Sequence, residues 1–264
     1  MHSAPRSLRR ALRLLLPMAI LILPWTVPQA AAAQQLTVSA AASLTDAFKE
    51  IGPRFEAVKP GASVRFNFAA SGVLIQQISQ GAPVDIFVSA DQETMNRGIE
   101  RKLLDADTRR DFAANTLVLI VPAQGVPSEA SVSQLADLAS PAVKRIAIGK
   151  TATVPVGRYS QQALEAAGLW ATLEARLVQS DSVRQVLDYV ARGEVEAGFV
   201  YRTDAALMPD KVRIVQTLQG HAPVRYPLAL VSDGRNKALA REFAAYLLAA
   251  EAQGILARHG FDKP

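Results

Sequence analysis

Few residues in this chain could do covalent chemistry. Its 264 residues include three histidines and no cysteine. His2 lies at the N-terminus, His221 follows a glycine in a polar stretch, and His259 sits near the C-terminal end. All three read as surface residues. A general base must reach the proton it removes, and no G-x-S-x-G elbow or H-E-x-x-H pair places one. Gly149-Lys150-Thr151 resembles the end of a phosphate-binding loop, but the position that needs the loop's first glycine is Lys144. Asp105 and Asp107 open like a calcium loop and lack its glycine and distal glutamate. Glu194 and Glu196 flank a predicted strand and read as solvated. Without cysteine there is no thiol nucleophile and no thiolate metal site.

What the chain offers instead is uncharged donors at helix starts. Ser43-Leu44-Thr45-Asp46 follows a predicted strand and has the form of a capping box. Ser71-Gly72 precedes Val73-Leu74-Ile75, again after a strand. Val154-Pro155-Val156-Gly157 leads into Tyr159 to Leu164, with proline near the first helical position. Ser180-Asp181-Ser182-Val183 leads into Val186, Leu187 and Val190. Each start exposes unpaired N–H groups and the positive end of a helix dipole. Such ends bind anions without a basic side chain. Each is equally an ordinary cap, since serine is preferred there, and Tyr201 equally a core tyrosine. Gly72 and the small Ala41-Ala42 leave room for a ligand near the backbone. Spacing alone leaves open whether these ends converge.

The elements that would position them alternate between strand and helix. Strands are expected at Leu36–Ala40, Val64–Phe68, Ile86–Val88, Thr116–Val121, Arg145–Ile148, Leu177–Val178, Ala197–Val200, Val212–Val215 and Tyr226–Val231. Helical spacing fills the intervals, from Leu44 to Phe55 through to Phe243–Leu248. This order predicts an α/β fold with mostly parallel sheets. About nine strands are many for one sheet. The two longest apolar strands, Thr116–Val121 and Tyr226–Val231, lie far apart and would serve as a paired hinge. One lobe is then expected from residues 34–115 plus 226–264, the other from 116–225.

The first 33 residues hold Arg6, Arg9, Arg10 and Arg13 and no acid, then an apolar stretch from Leu14 to Leu23 and Ala30 to Ala33. That pattern predicts a secretory signal peptide, too short in its apolar part to span a bilayer. Its removal would leave 231 residues with 25 basic and 24 acidic side chains, a formal +1. A near-neutral domain lacks the footprint of a nucleic-acid binder. Without cysteine there is no disulfide framework and no site for a lipid anchor, so an exported protein free in the periplasm is expected.

The chain resembles the periplasmic molybdate-binding proteins of ABC importers. Leu36 to Ala47 is similar to their opening, and Gly81 to Asp91 (GAPVDIFVSAD) to their most recognisable segment. Phe68–Ser71, Val154–Tyr159, Asp181–Arg184, Gly198–Tyr201 and Arg258–Phe261 follow in the family's order. The resemblance implies a two-lobed type II periplasmic binding protein with an oxyanion in its cleft. It implies that Ser43 and Ser71 each bind through hydroxyl and backbone N–H. It further implies the backbone N–H of Val156, the backbone N–H of Val183 and the hydroxyl of Tyr201. The ligand would be molybdate or tungstate, held without cofactor and without direct protein–metal bonds. The partners would be the permease's transmembrane subunits and their cytoplasmic ATPase, served by a monomer with no enzymatic step. Two departures stand out: Ala-Ala-Ser-Gly follows Phe68 where some relatives carry a run of serines, and Val156 replaces a smaller residue. The same fold serving sulfate or phosphate, or an exported serine hydrolase using Ser43 or Ser71, are the alternatives.

Overall fold

A computed structural model describes residues 34–124 and 131–264, together with His2. The expected signal segment, apart from His2, lies outside the described residues. Among the described residues, ten strands form two five-stranded sheets. In the first, β1 (Gln34–Ala41) pairs in parallel with β2 (Ala62–Ala69) and with β3 (Ile86–Val88). β10 (Val224–Leu230) then runs antiparallel to β3, and β4 (Arg110–Asn115) antiparallel to β10. In the second, β6 (Ile146–Gly149) lies parallel to β7 (Leu177–Ser180) and to β8 (Ala197–Tyr201). β5 (Leu117–Pro122) runs antiparallel to β8 and to β9 (Val212–Thr217).

The two-lobed α/β fold stands, with four of the five strands in each sheet running the same way. The sheets are mixed, because each contains one strand that runs against the other four. These reversed strands are β5 and β10, the two expected to form a paired hinge. They do not pair with each other. Each is the strand by which the chain enters a sheet from the other one: β4 leads through Thr116 into β5, and β9 leads through residues 218–223 into β10. A strand that starts at the crossing must run away from it, whereas the parallel strands run toward it.

β4 was not expected from the sequence. Arg110-Asp111-Phe112-Ala113-Ala114-Asn115 has no β-branched residue and two charges at its start, a weak strand signal. It sits at the sheet edge, where polar residues are tolerated. β5 is the opposite case. Leu117-Val118-Leu119-Ile120-Val121-Pro122 is buried at every position, as an apolar run inside a sheet covered on both faces must be.

Helices cover both sheets. Around the first lie α1 (Thr45–Val58), α2 (Ser71–Ser79), α3 (Gln92–Glu100), α8 (Lys237–Leu248) and α9 (Ala250–Arg258). Phe48 and Phe55 of α1 meet Phe243 of α8 edge-on, at ring-centroid distances of 6.4 and 5.1 Å. Such tilted contacts suit the ring quadrupoles. Around the second sheet lie α4 (Pro155–Ala166), α5 (Trp170–Leu173), α6 (Val183–Ala191) and the short α7 (Arg202–Ala205). Among the described residues no helix is long and apolar enough to cross a membrane.

Candidate functional site

Parallel strands followed by helices aim the helix N-termini at the carboxyl edge of the sheet, where α/β folds bind ligands. Here both sheets turn that edge toward the same place. Ser43 lies in a single helical turn, Ala42–Leu44, directly after β1. Ser71 is the first residue of α2 after β2. Val156 is the second residue of α4, and Pro155 before it has no N–H, so Val156 carries the first free amide of that helix. Val183 is the first residue of α6, and Tyr201 ends β8.

All five line one small cavity. Its other walls are Ala41, Ala42, Ala70, Ala90, Val154 and Pro155. The centre of a water-sized sphere can occupy only about 10 Å³ within it. That is room for a few atoms, far below the several hundred Å³ of an organic ligand site. No charged side chain lines it. A larger concavity of about 470 Å³ lies against the first sheet, but its buried carboxylate is already engaged. Asp85 there accepts from the N–H groups of Thr37 and Asn236, each at 2.9 Å.

The hydroxyls of the site are poised to donate. Ser71 Oγ accepts the N–H of Ala90 at 3.0 Å, so its own proton is free for a ligand. Tyr201 is 1 % exposed and its hydroxyl has no partner among the described residues. A buried orphan hydroxyl carries a penalty of about 1–3 kcal/mol, which a bound acceptor would relieve. Burial raises the pKa of the Tyr201 phenol well above its ordinary value, and the neighbouring Tyr226 and Tyr159 raise it further. It remains a protonated donor at any physiological pH.

The capping box expected at Ser43 does not form. The residue that precedes α1 is Leu44, with no side-chain cap. Ser43 Oγ instead meets the hydroxyl of Tyr226 at 3.0 Å. Asp46 turns away to pair with Arg184 at 2.8 Å. At α6 the expectation differs in detail: Ser182 is the cap and accepts from Gln185 N–H at 3.2 Å. That leaves the Val183 N–H free at the helix end.

Two arginines of the second lobe clasp the first on either flank of the cavity. Arg158 Nε reaches Asp91 Oδ2 at 2.8 Å, and Nη2 donates to Thr94 Oγ1 at 2.8 Å. Arg184 pairs with Asp46 across the cleft, with Asp204 Oδ1 at 2.8 Å on its own side, and donates to the Ser43 carbonyl at 3.3 Å. Asp204 is fully buried, and this burial pushes its carboxyl up to about 6, against the pull of Arg184. Both cations are therefore neutralised beside the cavity and none enters it. Backbone also meets backbone: Gly72 N–H donates to Thr153 O at 2.9 Å.

Sequence reasoning missed what stands behind the donors. Ala90, Arg158 and Arg184 lay inside segments it had noted, without a role. Tyr226 and Asn115 gave no signal, because their meaning depends on which residues the fold brings beside them. Among the described residues no three His, Asp or Glu side chains cluster to hold a metal ion.

Known proteins resemble this chain over most of its length. Residues 36–262 match the family of bacterial extracellular solute-binding proteins. The chain is 37% identical over 230 residues to the molybdate-binding protein ModA of Escherichia coli, covering 86% of this chain and 88% of that one. It is 37% identical to the putative ABC transporter substrate-binding lipoprotein YvgL of Bacillus subtilis, covering 86% and 85%. Among solved structures, the substrate-binding domain of a putative molybdenum ABC transporter from Clostridium difficile superposes with a TM-score of 0.66. It shares 37% identity over 87% of this chain and 99% of that one. The periplasmic molybdate-binding protein of Azotobacter vinelandii shares the fold, with a TM-score of 0.73 at 24% identity over 87% of this chain and 99% of that one. By matched length and by identity, this chain belongs to the bacterial extracellular solute-binding protein family.

Proposed function

We propose that this chain is the periplasmic binding subunit of an ABC importer that captures molybdate, and also tungstate, between its two lobes. The observation that carries the reading is the cavity itself, in which uncharged donors from both lobes converge with no cation among them. The relatives named for molybdate support the choice of anion. The donors are the hydroxyl and N–H of Ser43 and of Ser71, the N–H of Val156, the N–H of Val183 and the hydroxyl of Tyr201.

A buried dianion needs each oxygen satisfied. Hydrogen bonds to charged groups contribute about 1.5–3 kcal/mol each, against desolvation and lobe ordering. Donors alone also select. Hydrogen phosphate carries a proton that needs an acceptor, and the donor set has no carboxylate, so that proton would be buried unpaired. Sulfate passes this test and must be rejected by cavity size. Molybdate and tungstate are nearly isosteric, so discrimination between them should be slight.

No bond is made or broken. The anion docks on one lobe, the other closes over it, and the closed form meets the permease and its ATPase. The lobes are taken as residues 34–115 with 226–264 and residues 116–225. Residues 1–33 direct export to the periplasm, and the chain acts as a monomer without catalytic activity.

Isothermal titration of the exported protein against molybdate, tungstate, sulfate and phosphate tests this. Tight binding of the first two and far weaker binding of phosphate is expected. Phosphate binding without molybdate binding would overturn the reading. Ser71→Ala should weaken molybdate by about 1–3 kcal/mol and lower the melting temperature, since the Ala90 N–H loses its acceptor too.

A further inference from the structure

The polarity of the Ser43 hydroxyl is set from outside the cavity by a chain of hydrogen bonds whose direction can be read atom by atom. It begins at a backbone amide. Thr116 N–H lies 2.8 Å from Asn115 Oδ1. An N–H can only donate, so this contact fixes the carboxamide oxygen there and turns the Asn115 NH2 the other way. That NH2 donates to Tyr226 Oη at 3.2 Å and to Thr203 Oγ1 at 2.9 Å. The Tyr226 oxygen is therefore an acceptor toward Asn115, and its single proton goes to its other partner, Ser43 Oγ, at 3.0 Å. With Ser43 Oγ accepting on that side, its own proton is left for the cavity.

We propose that Tyr226 and Asn115 are positioning residues that lock Ser43 as a pure donor, and so set the preference for a fully deprotonated oxyanion over a protonated one. The inference rests on the molybdate reading given above. Tyr226 is 0 % exposed and Asn115 only 8 %, so water cannot substitute freely for either. Burial keeps the Tyr226 phenol protonated. The charged groups acting on it, Asp204 and Arg184, are paired with each other. Ser71 is set by the same logic with a shorter chain, the Ala90 N–H acting directly on Oγ. Were Ser43 free to rotate, it could turn a lone pair to the ligand and accept the proton of hydrogen phosphate. With one lone pair held by the Tyr226 proton, the relay turns the Ser43 proton toward the cavity and disfavours that option.

The relay also sits where the chain changes sheets. Asn115 ends β4 and Thr116 is the one residue between β4 and β5. Thr203, the other recipient of the Asn115 NH2, belongs to α7 of the second lobe. Docking polarity and the crossing between the lobes thus share one side chain.

Two near-isosteric variants test this, titrated at pH 8, where molybdate, sulfate and hydrogen phosphate are all dianions. Tyr226→Phe removes the hydroxyl and frees Ser43. Asn115→Asp reverses the chain: a carboxylate can only accept, so Tyr226 donates to it and Ser43 must donate to Tyr226, presenting a lone pair to the cavity. Added negative charge repels all three anions alike, so the readout is the ratio of molybdate to hydrogen phosphate affinity. The expected ratio falls about tenfold in Tyr226→Phe and further in Asn115→Asp, while the ratio of molybdate to sulfate stays near that of the parent. Thermal melts identify a variant that fails to fold, in which case the other decides. A ratio unchanged in the folded variants, or both anions weakened by one factor, overturns the relay while parental molybdate binding keeps the functional reading intact. A parent that does not bind molybdate overturns both.

Discussion

Replacing Gly72 by valine is expected to weaken molybdate binding more than a hundredfold while leaving each lobe folded. Gly72 follows Ser71 at the start of α2, where it faces the second lobe. A Cβ built there would lie 2.6 Å from Thr153 O and 2.7 Å from Thr153 Cα. Both are backbone atoms, which cannot rotate aside, and no real Cβ tolerates such distances. The helix itself is no obstacle, since valine is a somewhat better helix former than glycine. Relief must come from moving the second lobe outward. That draws back the donors of Val156, Val183 and Tyr201 together, each worth about 1.5–3 kcal/mol to a charged ligand. Losing even two of these interactions costs about 3 kcal/mol, or more than a hundredfold. Titration and small-angle scattering check it: the variant should bind weakly and stay open when molybdate is added. Parental affinity in a folded Gly72→Val protein would show that contact between Gly72 and Thr153 is no part of the bound state.

Val183→Pro should lower molybdate affinity by about 2–4 kcal/mol, roughly thirty- to several hundred-fold, with α6 intact. At most interior helical positions proline also breaks the helix, but Val183 is not an interior position. Val183 is the first residue of α6, where proline is tolerated because its N–H has no intrahelical partner. Ser182 before it is extended, at φ −159° and ψ 163°, the conformation a residue preceding proline prefers. The substitution therefore deletes one amide proton and little else at the backbone, leaving one oxygen of a buried dianion unpaired. Circular dichroism should show parental helix content and titration a large loss. Unchanged affinity would remove Val183 from the binding set.

How much of this was legible beforehand follows from what local pattern can encode. β5 announced itself as an uninterrupted apolar run, because a strand covered on both faces has no polar side to show. β4 did not, because an edge strand of Arg, Asp, Phe, Ala, Ala and Asn carries no such run. The reversed direction of β5 and β10 was hidden for a different reason. Periodicity reports which residues face inward and says nothing of which way a strand runs. At the site, the helix starts were visible as serines and a proline after strands, and the resemblance supplied the order that picked them out. The role given to Asp46 failed: a carboxylate three residues after a serine looks like a cap whether or not an arginine from α6 claims it. Tyr226 lies 183 residues from Ser43 in sequence. Nothing within either neighbourhood marks the pair, and only the closed sheet order places one phenol against one serine.

The most direct test is crystallographic. Crystals grown with molybdate and measured on both sides of the molybdenum absorption edge should give one strong anomalous peak per chain. The account places it among Ser43, Ser71, Val156, Val183 and Tyr201, with hydroxyl and amide protons as its contacts and Arg158 and Arg184 still engaged with their carboxylates. A peak elsewhere, or an oxyanion directly contacted by a lysine or arginine, would contradict it.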